Sequence, residues 1–149
     1  MATVNLPADF REFLKLLNAH RVKYLLIGGY AVAYHGYPRA TADMDIWIEV
    51  DPANAKKIVA ALTNFGFDLP DLSTELFLET EKIVRMGIPP VRIAIMTSIS
   101  GVEFQECYDA RMIVELDGIR VSVISLPFLK ANKKASGRYK DLNDLENLP

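Results

Sequence analysis

Two short stretches hold residues whose types and spacing could do chemistry: Gly28-Gly29, at the end of an apolar run, and Asp43-Met44-Asp45, fifteen residues further on. Paired glycines let a ligand approach the backbone closely. Where they open a helix, the N–H groups are unpaired and favour an anion. The same pair also serves any tight turn with no ligand involved. Asp-x-Asp on a strand places both carboxylates on one face, about 6–7 Å apart, because side chains alternate and each residue rises about 3.3 Å. Two such groups can share one divalent cation or bracket two. Aspartate is disfavoured inside strands, so a pair on one face needs a reason, and a solvent-facing strand end is the simplest alternative.

The elements that must position these residues can be read from periodicity. Phe10, Phe13, Leu14 and Leu17 recur at helical spacing over 7–20, with Pro7 near the first turn. An apolar run rich in β-formers at 22–27 ends at the glycine pair, and 30–35 suits a short helix that stops near Gly36 and Pro38. The order is strand, glycine turn, helix. Alternation of Ile46, Ile48 and Val50 with Asp45, Trp47 and Glu49 predicts a strand at 45–50, and 53–65 reads as a helix closed by Gly66. The stretch 68–90 is the least regular, with a short helix at 73–78 and a strand at 83–86. A third strand at 91–96 follows Pro89-Pro90, and a short amphipathic helix fits 102–108. Asp117-Gly118 between 111–116 and 119–124 is a hairpin signal, and two helices, 126–136 and 141–148, flank Gly137. No repeat or linker interrupts this pattern. The expectation is one α/β domain over 1–149, a mixed sheet flanked by helices.

Composition limits the function classes. Of 149 residues, 50% are hydrophobic and 24% charged, the profile of an ordinary globular domain and not of a disordered chain. Cys107 is the single cysteine, so no internal disulfide can form, and a reducing cytoplasm is the expected compartment. The longest stretch free of Lys, Arg, Asp and Glu, 24–38, is too short for a membrane span, and 1–9 has no signal-peptide pattern. Neither membrane insertion nor export is expected. Seventeen basic and nineteen acidic residues give a net charge of -2, so any phosphate must be gripped locally. Lys130, Lys133, Lys134, Arg138 and Lys140 form a C-terminal basic cluster, either a solvated helix face or such a grip.

Leu26-Ile27-Gly28-Gly29-Tyr30-Ala31, His35-Gly36 and Arg39-Ala40-Thr41-Ala42-Asp43-Met44-Asp45-Ile46 together resemble the nucleotidyltransferase superfamily related to DNA polymerase beta. More narrowly, the chain is similar to the minimal nucleotidyltransferases, a group that includes abortive-infection-type toxins. The stretch Lys133-Lys134-Ala135-Ser136-Gly137-Arg138-Tyr139-Lys140-Asp141-Leu142-Asn143-Asp144-Leu145 resembles that group's closing segment. The resemblance implies that Gly28 and Gly29 seat a nucleoside triphosphate (NTP), while Asp43 and Asp45 hold two Mg²⁺ ions. It further implies that Arg39 and Thr41 flank the metals. Lys134, Arg138 and Lys140 are candidates to neutralise phosphate charge. The implied reaction moves a nucleotidyl group onto an acceptor hydroxyl of RNA, protein or a small molecule, with pyrophosphate leaving. A toxin–antitoxin partner belongs to the same set of implications.

One position departs from the pattern. The family's third carboxylate comes from the strand after the two prolines, in a pattern like Arg-Ile-Asp-Ile; here the residues are Arg92-Ile93-Ala94-Ile95. A methyl group neither holds a metal nor accepts the proton of an attacking hydroxyl. The alternatives are a natural pseudoenzyme that binds nucleotide without transfer, an engineered inactive variant of an active enzyme, or an enzyme with a displaced acid such as Glu75 or Glu79, and transfer is expected to be impaired in each. Smaller signals point mostly to packing. Trp47 shares the face of Asp45 and suits either a bound base or the core. His20 and His35 have no histidine at ligand spacing, Cys107 has no CxxC partner, and no Gly-x-Ser-x-Gly elbow is present.

Overall fold

The computed structural model describes residues 4–41, 43–67 and 72–149. Ala42 of the motif above and residues 68–71 lie outside this set. Chain order runs α1 (Ala8–Ala19), β1 (Tyr24–Ile27), α2 (Gly28–Tyr34), β2 (Asp43–Ile48), α3 (Pro52–Phe65), a 3-10 turn (Thr74–Phe77), β3 (Ile83–Met86) and β4 (Arg92–Met96). It continues through α4 (Phe104–Asp109), β5 (Met112–Leu116), β6 (Ile119–Val123), α5 (Leu126–Ser136) and α6 (Tyr139–Asn147). The strands form one sheet in the order β3-β4-β2-β1-β6-β5. β2 is parallel to β4 and antiparallel to β1, and β1 is parallel to β6. The antiparallel pairs β3–β4 and β5–β6 complete the two edges. This is the mixed sheet with flanking helices that the periodicity predicts.

Side-chain alternation divides β2 between two environments. Met44, Ile46 and Ile48 are fully buried and share a core with Phe10, Phe13, Leu14 and Leu17 of α1 and Ile58 and Leu62 of α3. Asp43, Asp45 and Trp47 take the other face. The strand starts two residues earlier than alternation alone suggests, because β4 pairs with it from Asp43 onward. It also ends earlier. Val50 leaves the sheet and the Asp51 carboxylate caps α3, accepting from the backbone N–H of Asn54 at 3.1 Å. Gly66, in the left-handed region at φ 108°, ends that helix as expected.

Asn54 has a structural role that periodicity does not suggest. Only 2% exposed, its side chain accepts from the Lys23 N–H at 2.8 Å and donates to the carbonyls of Lys23 at 3.1 Å and Glu49 at 2.9 Å. The start of α3 is thereby tied to the adjoining ends of β1 and β2. Asn54→Ala leaves these backbone groups without their partner, and we expect a loss of about 2–3 kcal/mol. Urea unfolding checks this: the midpoint should fall while the denaturant slope stays constant.

Candidate functional site

Strand register brings the candidate residues together. Asp45 lies beside Ala94 across the parallel β2–β4 pair, and Ala94 lies beside Arg85 across the antiparallel β3–β4 pair. Arg85, Ala94 and Asp45 therefore form a row on one face of the sheet. Asp43 and Arg92 form a second row, one pleat along the face. Above these rows is a cleft of about 450 Å³, within the roughly 300–1,000 Å³ usual for small-molecule sites. Gly28, Gly29, Arg39, Asp43, Asp45, Arg138 and Lys140 all line it.

The remaining expected residues sit elsewhere. Lys134 is exposed and faces away from the cleft, whereas its neighbour Lys133 lines it. Ala94 is 1% exposed and lies under the cleft floor. Thr41 stands behind Gly29 and donates a hydrogen bond to the Asp43 carbonyl at 3.1 Å. Glu75 and Glu79 do not line the cleft; Glu79 pairs with Lys82 at 3.5 Å.

The glycine pair makes room for the acids. α2 begins at Gly28 itself, with φ at 67°, a backbone region that side chains rarely adopt. A Cβ there would collide with the Asp45 carboxylate, and one on Gly29 would lie 2.6 Å from Thr41 Oγ1. Both glycines thus let the loop and β2 close against the start of the helix.

The two carboxylates differ in their surroundings. Arg92 donates to both oxygens of Asp43, each at 3.0 Å, a bidentate pair. Among the described residues, Asp45 has no such partner. Burial pushes its carboxyl up to about 6, the Asp43 charge adds to the rise, and Lys140, Lys133 and Arg85 oppose it.

The basic wall is fixed by an ion network that sequence reading misses. The Lys133 ammonium, on a residue 5% exposed, donates to Asp141 at 3.1 Å and Asp144 at 3.0 Å, both fully buried carboxylates. Arg39 makes a bidentate pair with Asp144 at 2.6 and 2.8 Å. Ser136 and Arg138 donate to Asp141 at 2.7 and 2.8 Å. Burial alone would raise the Asp141 carboxyl, but the hydrogen bonds from Arg138, Ser136 and Lys133 outweigh it and bring it down to about 2. The signal was present in the spacing: Leu129 and Lys133 are four apart on one face of α5, and Asp141 and Asp144 are three apart on α6. Asn132 donates to the Ser100 carbonyl at 3.0 Å, which joins α5 to the far wall of the cleft.

Trp47 belongs to the core. It is 2% exposed and meets Phe104 edge-on at 5.1 Å. The His35 Nε2 lies 2.7 Å from the Ile124 carbonyl, and Cys107 is buried, with its thiol pushed up to about 11 by burial and by Glu106.

Among the described residues, no three His, Cys, Asp or Glu side chains converge on one point. The donor set among the described residues fits one divalent ion and not two. Asp43 and Asp45 share a face, and the Asp43 oxygens keep lone pairs despite Arg92. Mg²⁺ commonly takes one or two carboxylates together with substrate phosphates. A second ion would need a further acid, and Ala94 holds a methyl group where the register would place one.

The family model described as aminoglycoside-2''-adenylyltransferase matches residues 9–148. A candidate nucleotidyltransferase of Thermotoga maritima superposes with a TM-score of 0.63 at 20% identity, covering 92% of this chain and 88% of its own. An antigenic nucleotidyltransferase-like protein of Paracoccidioides brasiliensis gives 0.55 at 21% identity, covering 97% and 77%. At these identities the likeness is one of fold. No curated protein matches the chain. Among the described residues, no helix is long and apolar enough to cross a membrane.

The buried network carries a pH dependence. The Asp141 carboxyl lies below the usual aspartate value near 3.9, so its contribution to stability is present above about pH 4 and lost as pH falls toward about 2. Asp141→Asn leaves the buried Lys133 charge partly uncompensated, and a loss of about 3–5 kcal/mol is expected at pH 7. Urea unfolding across a pH series should show the gap between variant and parent closing below pH 4. A constant gap would contradict the assignment.

Proposed function

The chain belongs to the aminoglycoside-2''-adenylyltransferase family, and from that premise we propose that its cleft binds a nucleoside triphosphate and transfers the nucleotidyl group slowly. The observation that carries this reading is the row Asp45–Ala94 beneath a basic wall: a place for phosphates, with one acid missing. In the transfer reaction the acceptor oxygen bonds to the α-phosphorus, the bond from that phosphorus to the bridging oxygen breaks, and pyrophosphate leaves. The hydroxyl proton needs an acceptor, which Ala94 cannot be.

Each wall of the cleft has a role in this scheme. The backbone of Gly28 and Gly29 allows close approach of the phosphates. Asp43 and Asp45 hold one Mg²⁺, which neutralises phosphate charge when bound. Arg138 and Lys140 take the remaining negative charge at the α5–α6 junction, and Arg39 positions that junction through Asp144. The same observation favours a second reading, nucleotide binding without turnover. Retention of label by protein but never by an acceptor would identify it.

The family description names an adenylyl group and an aminoglycoside, so ATP is the first donor to test and an aminoglycoside the first acceptor. We expect Mg²⁺ plus ATP to raise the melting temperature, and the rise to continue with the logarithm of ligand concentration above the dissociation constant. Asp45→Asn should weaken Mg·ATP binding by about tenfold or more in calorimetry, the scale of one lost charge-assisted contact. Gly28→Ala should do the same by displacing the Asp45 carboxylate. Unchanged affinity in both variants would overturn the reading.

A further inference from the structure

Arg85 lines the cleft without a role in the proposed function and outside the Lys133–Asp141–Asp144 ion network. It lies on the edge strand β3, directly across from Ala94, which in turn lies directly across from Asp45. Adjacent strands are about 4.8 Å apart, so the Cα atoms of Arg85 and Asp45 are roughly 10 Å apart with a single methyl group between them. An extended arginine side chain can cover most of that distance. Its guanidinium makes no hydrogen bond or salt bridge within the usual distances to a described residue, and it lines the cleft. Arg85 already acts electrostatically on Asp45. An acid at position 94 would stand between the two and engage this cation.

The charge balance of the walls points the same way. Five cationic residues, Arg39, Arg85, Lys133, Arg138 and Lys140, line the cleft against Asp43, Asp45 and Asp141. Arg92 and Asp144, the partners behind, add one of each sign. A second divalent cation beside Asp45 would need another carboxylate, and Ala94 stands where the register would place it. Among the described residues the lining carries more cations than acids.

We propose that Arg85, reaching over Ala94, supplies at the bound phosphates the positive charge that a second metal ion would bring, so that one Mg²⁺ at Asp43 and Asp45 suffices for nucleotide and the cationic walls alone retain measurable affinity for pyrophosphate. The proposal rests on the nucleotide-binding reading and specifies how that site carries its charge. A guanidinium suits the task because its planar fork donates to two phosphate oxygens at once and never loses its proton.

The test is calorimetric titration of the full chain with inorganic pyrophosphate in EDTA. The parent should bind, Arg85→Ala should bind about 10- to 100-fold more weakly, and Arg85→Lys should fall between them. Ala94→Asp should lose metal-free binding and regain it with Mg²⁺, because the added carboxylate pairs with Arg85 and provides a metal donor. Arg85 is exposed on an edge strand, and equal melting temperatures would confirm that the variants are folded. Arg85→Ala within twofold of the parent overturns the proposal. So does a parent that binds Mg·ATP but no pyrophosphate in EDTA, and in that case the nucleotide reading stands. A parent that binds neither overturns both.

Discussion

Asp45 lies between Ile27 and Ala94 because β2 is hydrogen-bonded to β1 on one side and to β4 on the other. A slip of one residue in β2 would turn Asp43 and Asp45 into the apolar core and bring Met44 and Ile46 to the cleft, so burial of one face fixes the register. The rest of the site depends on that pairing. It sets which residue of β4 stands beside Asp45, and through β3 it places Arg85 one strand further out. It also presses the Asp45 carboxylate against the start of α2, where only a residue without Cβ fits.

The opposite wall is held by charge where the sheet is held by apolar packing. Lys133 sits between two buried aspartates, and each aspartate also accepts from an arginine. A buried ammonium is tolerated only with such pairing. The consequence is geometric: α5, α6 and the loop after α2 close on one point, which fixes Arg39 and Arg138 at the cleft margin. The near-neutral charge of the whole chain hides this local basic wall.

Most of the fold was legible because burial leaves a period. The alternation around Ile46 and Ile48 and the helical spacing of Phe10 to Leu17 both correspond to core faces. Boundaries were less legible, since they depend on partners distant in sequence. β2 begins at Asp43 because Arg92 lies beside it, and nothing within the local window shows this. The acidic pair and the glycine pair were visible as a motif. Arg85 was not, because its importance comes from standing opposite Ala94 across two strand pairings. Of the C-terminal basic residues that the motif points to, Arg138 and Lys140 line the cleft, and on α5 it is Lys133, on the buried face, rather than Lys134 that does.

On the proposed function, Ala94 is the limit on transfer in a cleft otherwise suited to nucleotide. Single-turnover measurement of pyrophosphate release at saturating Mg·ATP, with and without an acceptor, tests this most directly. Ala94→Asp should accelerate release in the presence of acceptor by about 10²–10⁴-fold, the usual contribution of a positioned proton acceptor. An unchanged rate in a variant that still binds Mg·ATP would contradict it.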